Sequence, residues 1–159
     1  STPWFAPVWA LYAVAEVLGL LSLPLEPGLV ADDLTHIMGV VSIFHAGYAL
    51  IVAACLFGDL FDSRMCNGLH AMPMRREGWL LTNIASGFLF ALIPAVVGGA
   101  VAVAILKEYY WIGLLWQATS LLQFVVFFGM AAFSAMCAGK RLGMIAIYAI
   151  LNFLSMLIY

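Results

Sequence analysis

Two side chains in this sequence have the type and placement to do chemistry inside an apolar environment: Glu16 and His45. Glu16 is the only formal charge well inside a long apolar run. A carboxylate there is costly, so by default it faces protein or water and has a partner. Counted at the helical rise, Glu16 lies about 18 Å from the start of its run. His45 reaches a similar depth when counted down the next run, in a hydrocarbon core of roughly 30 Å. Consecutive helices are antiparallel, so the two can meet as a hydrogen-bonded intramembrane polar pair. A proton-coupled transporter would need Glu16. The alternative is a purely structural Glu16, protonated or capped by another polar group.

Other chemistry is poorly supplied. A bis-histidine haem needs a second histidine inside a run, and His36 and His70 lie outside the runs. His36 with Asp32 and Asp33 reads as a solvated loop and not as a metal site. Cys55, Cys66 and Cys137 have neither metal nor redox spacing. No phosphate-binding loop, nucleophile elbow, zinc-protease motif or kinase motif set occurs. No clustered basic face points to nucleic acid. The expectation is a chain that is not an enzyme and holds no metal or cofactor of its own.

The elements that must position the pair follow from composition. Of 159 residues, 66% are hydrophobic and 9% charged, where soluble domains carry about 25% charged residues. The runs are long and continuous, not alternating, which predicts an all-α, polytopic integral membrane bundle. Five spans are visible, over residues 4–23, 37–57, 78–106, 112–138 and 142–159. Residues 24–33 read as a turn-rich acidic loop. Pro94 and the Gly98–Gly99 pair should kink or break the third run. Asn83, Ser86, Gln117, Thr119, Ser120, Gln123 and Asn152 are expected to hydrogen-bond between helices. The last run is cut at Tyr159, which points to a single transmembrane domain that is part of a longer subunit.

One long polar interval, Asp59 to Glu77, separates the second and third runs. Over residues 59–72, Phe61, Met65, Leu69 and Met72 recur at helical spacing and form one apolar stripe. Met72-Pro73 stops this helix, because proline disfavours helix in the preceding residue. Arg75 and Arg76 follow, where the next span enters the headgroups. The pattern predicts a short amphipathic helix joining two spans. Five of the six basic residues (Arg64, Arg75, Arg76, Lys140 and Arg141) fall on this side, and only Lys107 on the other. The positive-inside rule therefore makes this side, and the N-terminus, cytoplasmic, in a multi-pass protein of the cell membrane.

The stretch Asp62 to Trp79 resembles the connector between the second and third spans of ABC exporter permeases of the type-2 class. In many Firmicutes these carry a basic residue, then a hydrophobic-His-Ser-Leu-Pro element, then Arg-Glu before span three. Here Leu69-His70-Ala71-Met72-Pro73-Met74-Arg75-Arg76-Glu77 fits, with Ala71 where serine is usual. Ser134 to Leu142 and Leu151 to Leu154 resemble the turn after span four and the start of span five. The resemblance covers about residues 58–159, and the first two spans in layout.

That resemblance implies six spans, of which five are visible, and a permease that pairs with a second permease subunit, the same or a related one. It implies two copies of a cytoplasmic ATPase subunit, which hold ATP and magnesium. The interval becomes the coupling helix. Phe61, Met65 and Leu69 would seat in a groove of the ATPase, with Arg64 and His70 at the rim. Pro73, Arg75, Arg76 and Glu77 would set the elbow into span three. The cargo class expected is hydrophobic or peptide. The alternative is a small proton-coupled secondary transporter working through Glu16, or a membrane assembly subunit that transports nothing.

Overall fold

A computed structural model describes residues 5–21, 30–58, 76–107, 110–138 and 140–158. Among them the chain is all-helical, with five helices: α1 (Phe5–Leu21), α2 (Val30–Leu56), α3 (Arg76–Leu106), α4 (Tyr110–Cys137) and α5 (Arg141–Ile158). Two stretches are long and apolar enough to cross a bilayer. Gly78–Val101 has 24 residues and a mean hydropathy of 2.1, and Tyr110–Cys137 has 28 residues and a mean hydropathy of 1.9. Shorter apolar stretches are Ala10–Gly19, Val41–Leu56 and Arg141–Leu157.

Two sequence expectations are modified. The second helix begins at Val30, so the acidic loop is shorter than residues 24–33 and Asp32 and Asp33 belong to the first turn of α2. Acidic residue types suit that position, because the unpaired N–H groups of a helix start carry partial positive charge. The third helix is not broken: Pro94 and Gly98–Gly99 lie within an uninterrupted α3. The expected amphipathic helix over residues 59–72 lies outside the described residues, together with Phe61, Arg64, Met65, Leu69, His70, Pro73 and Arg75. Arg76 and Glu77 are the first two residues of α3.

Two compact units divide the chain, one of Ser1–Tyr48 with Ala91–Phe124, the other of Ala49–Phe90 with Val125–Tyr159. In the first, buried positions recur at helical spacing: Tyr12, Glu16 and Gly19 on α1; Val41, His45 and Tyr48 on α2; Ile112, Trp116, Ser120 and Phe124 on α4. Each set lies on one face of its helix, since residues three and four apart are neighbours there. In the second unit, Phe57 packs edge-on against Trp79 at 5.9 Å between ring centroids and lies 6.5 Å from Phe128. Phe128 in turn covers Gly87, where a side chain would collide with its ring.

The exteriors are apolar. Leu18, Ile43, Leu81, Val96, Leu122, Leu142 and Met156 are all exposed. Among the described residues burial follows narrow stripes, and many of the large hydrophobic side chains outside them are exposed.

α3 ends at Leu106, and Lys107 after it has φ 41°. This is the left-handed conformation that usually falls to glycine at a helix C-terminus.

Candidate functional site

The first unit buries four polar side chains among the described residues: Glu16, His45, Gln117 and Ser120. Three of them meet. His45 Nε2 stands 2.7 Å from Glu16 Oε1, with both side chains withdrawn from solvent. The other carboxylate oxygen, Oε2, accepts two hydrogen bonds from α4: from the Trp116 indole N–H at 3.1 Å and from the Ser120 hydroxyl at 3.2 Å. α1 supplies the carboxylate, α2 the imidazole and α4 both donors.

The other ring nitrogen of His45 fixes the tautomer. Nδ1 is 2.9 Å from the carbonyl oxygen of Val41, one turn back on α2. A carbonyl oxygen only accepts, so Nδ1 carries a hydrogen and donates it. The contact between Nε2 and Oε1 then needs a proton of its own, because two lone pairs facing at 2.7 Å would repel. That proton sits on the imidazole, giving an ion pair, or on the carboxyl, giving a neutral pair. Both forms carry one shared proton and no net charge. Neither atom has another hydrogen-bond partner among the described residues.

A chain of aromatic rings leads away from His45. Tyr12 is edge-on to the His45 ring at 5.4 Å and stacks on Tyr48 at 4.2 Å, and Tyr48 lies 5.6 Å from Phe124. Glycine makes the close approach of α1 and α4 possible. A Cβ at Gly19 would lie 2.8 Å from Trp116 Cζ2 and 3.2 Å from Val41 Cγ2. Gln117 packs in the same manner on Gly98 of α3, where a Cβ would lie 2.6 Å from its amide nitrogen.

The structure thus brings Glu16 and His45 into contact. The ATPase-coupling set from Phe61 to Arg75 lies outside the described residues, and Arg76 and Glu77 are placed only as the start of α3. Among the described residues no group of three His, Cys, Asp or Glu side chains could hold a metal ion.

The remaining polar residues of the runs behave differently from expectation. Ser86, Thr119 and Asn152 turn back onto carbonyl oxygens of their own helices, at Thr82, Leu115 and Tyr148. This is the local alternative open to short polar side chains in a helix. Ser120 alone of the expected set has a recorded bond to another helix. Asn83 Nδ2 and Gln123 Oε1 are buried with no hydrogen-bond partner among the described residues.

Comparison with known protein families, curated proteins and solved structures returns no match.

Proposed function

We propose that this chain is the membrane-spanning permease subunit of an ATP-driven exporter of the type-2 ABC class. One observation carries the reading. α3 opens at Arg76, so the Leu69 to Glu77 element that resembles the permease connector leads directly into a 31-residue apolar helix. The apolar exteriors of the helices support a multi-pass arrangement in the cell membrane, and the distribution of lysine and arginine supports placing the N-terminus and the 59–75 interval in the cytoplasm. The interval is the coupling helix, and two copies of an ATPase subunit supply nucleotide hydrolysis. A second permease subunit, the same or related, completes the pathway for a hydrophobic or peptide cargo.

Affinity purification from native membranes tests this. An ATPase subunit is expected to co-purify, and the assembled complex to hydrolyse ATP. A chain recovered without any ATP-binding neighbour sinks the reading.

The contact of Glu16 with His45 favours a second reading, a small carrier driven by protons through Glu16. Its mark is transport by the purified chain alone in liposomes under a pH gradient, abolished in Glu16→Gln.

A further inference from the structure

We propose that α5 is the face by which two copies of this chain pair, side by side and in the same sense, with Asn152 hydrogen-bonded to the partner's Asn152. This deepens the reading of a paired permease and rests on it only in that the chain spans a membrane.

Spacing and exposure together mark the face. Leu142, Ile145, Ala149, Asn152 and Met156 follow one another at steps of three, four, three and four residues, the alternation of a heptad seam. At 100° per residue they share a strip about 80° wide. Leu142, Ile145, Ala149 and Met156 are exposed and Asn152 is half-buried. Met144 and Tyr148 lie to one side of the strip and are buried. Ile150, Phe153 and Leu157 lie to the other side and are exposed. From Ala149 to Leu157 no residue of α5 is buried.

Asn152 decides what covers the strip. It lies about 16 Å along α5 from Arg141, near the middle of a hydrocarbon core of roughly 30 Å. Polar groups at such depth face protein by default. Glu16, His45, Gln117, Ser120 and Ser134 do so, and all are buried. Ser86 and Thr119 are half-buried, and each hydroxyl is satisfied by a carbonyl oxygen of its own helix. A carboxamide asks for more, since it has two donors and two acceptor lone pairs. The bond from Asn152 Nδ2 to the Tyr148 carbonyl oxygen, at 2.9 Å, uses one donor.

A second copy brings a matching group to the same height. Both copies insert in one orientation, so their α5 helices run parallel and equal residues meet across a two-fold axis. A carboxamide is its own complement there, because each N–H can donate to the other's carbonyl oxygen. One asparagine in an otherwise apolar seam also sets register and favours two parallel strands. Ala149, one turn before Asn152, lets the two backbones come close.

The test uses the full chain with Cys55, Cys66 and Cys137 replaced by serine and one cysteine introduced at a time. Ile145→Cys, Ala149→Cys and Met156→Cys lie on the strip; Ile150→Cys and Phe153→Cys lie beside it. In membrane vesicles a short bis-maleimide should yield a band of twice the chain's mass from the first three and not from the other two. In proteoliposomes of the purified chain, pairing is followed by energy transfer between labelled copies as lipid is added. Asn152→Leu should weaken it about three- to thirtyfold with helix content unchanged, and Asn152→Gln, which keeps an amide, should largely retain it. Equal cross-linking on and beside the strip, cross-links to a different subunit only, or pairing indifferent to Asn152→Leu overturns the inference. No ATPase enters these measurements. Failure of an ATPase to co-purify leaves them standing, and a chain that does not pair through α5 leaves ATPase association standing.

Discussion

The indole of Trp116 occupies the space that a side chain at Gly19 would need. A Cβ there would stand 2.8 Å from Trp116 Cζ2, well inside van der Waals contact. The same indole donates its N–H to Glu16 Oε2, on the helix that carries Gly19. Packing and polar contact are therefore one feature: the missing side chain lets α4 come close enough for Trp116 to reach the carboxylate.

Gly19→Ala should consequently cost more than a surface change. Overpacking of this kind costs roughly 1–3 kcal/mol, with added loss if the indole swings off Oε2. Gly47→Ala is the control, because nothing lies within 4 Å of a Cβ there and alanine is favoured over glycine in a helix by about 0.5–1 kcal/mol. Thermal unfolding midpoints in one detergent should fall for the first and hold or rise for the second.

Glu16→Ala removes the acceptor of two hydrogen bonds and the partner of His45. Breaking a buried pair by deleting one side costs about 3–5 kcal/mol. Glu16→Gln should cost only about 1–2 kcal/mol, the difference between charge-assisted and neutral hydrogen bonds. Equal destabilisation by the two variants would show that the volume and single acceptor oxygen kept by glutamine compensate for nothing, and that the pair depends on the carboxyl group itself.

In the coupling interval, Leu69→Asp or Met65→Asp puts a charge on the apolar stripe proposed to enter the ATPase. Truncating or charging an anchor in such a groove typically costs 2 kcal/mol or more, about thirtyfold in affinity. Co-purified ATPase should drop by that order while membrane insertion is unchanged. Retained association and ATP-dependent activity would remove the coupling assignment.

Lys107 offers a stability test away from any site. It adopts φ 41° after α3, and left-handed backbone costs a side-chain-bearing residue roughly 1–2 kcal/mol. Lys107→Gly should relieve part of this, offset by the greater chain entropy of glycine. The net expectation is a gain of about 0.5–1 kcal/mol, read as a raised unfolding midpoint.

Glu16 and His45 were legible because depth along two consecutive helices can be counted from residue numbers alone. Trp116 and Ser120 were not reached that way. They lie 100 and 104 positions from Glu16, and residue counting says nothing of how α4 is set against α1. A partial signal was available. Tyr12, Glu16 and Gly19 repeat at helical spacing, as do Ile112, Trp116, Ser120 and Phe124, so the only in-run charge shares its stripe with a residue lacking a side chain. The start of α2 at Val30 is masked in the sequence by the turn composition of Pro24 to Gly28, although the acidic residues that end the stretch suit a helix N-terminus. Of the polar residues expected to bridge helices, Ser86, Thr119 and Asn152 satisfy themselves locally, because such a side chain finds a carbonyl oxygen one turn back before it finds another helix.

The bond from His45 Nδ1 to the Val41 carbonyl oxygen makes the imidazole a fixed tooth on α2 instead of a swinging arm. Sliding of α2 along its axis leaves that tooth pointing the same way. A twist by a single residue turns it about 100° and carries Nε2 off the carboxylate altogether. Rolling of α2 is thus a movement that this contact opposes, because it takes the imidazole off the carboxylate while its bond to Val41 stays made.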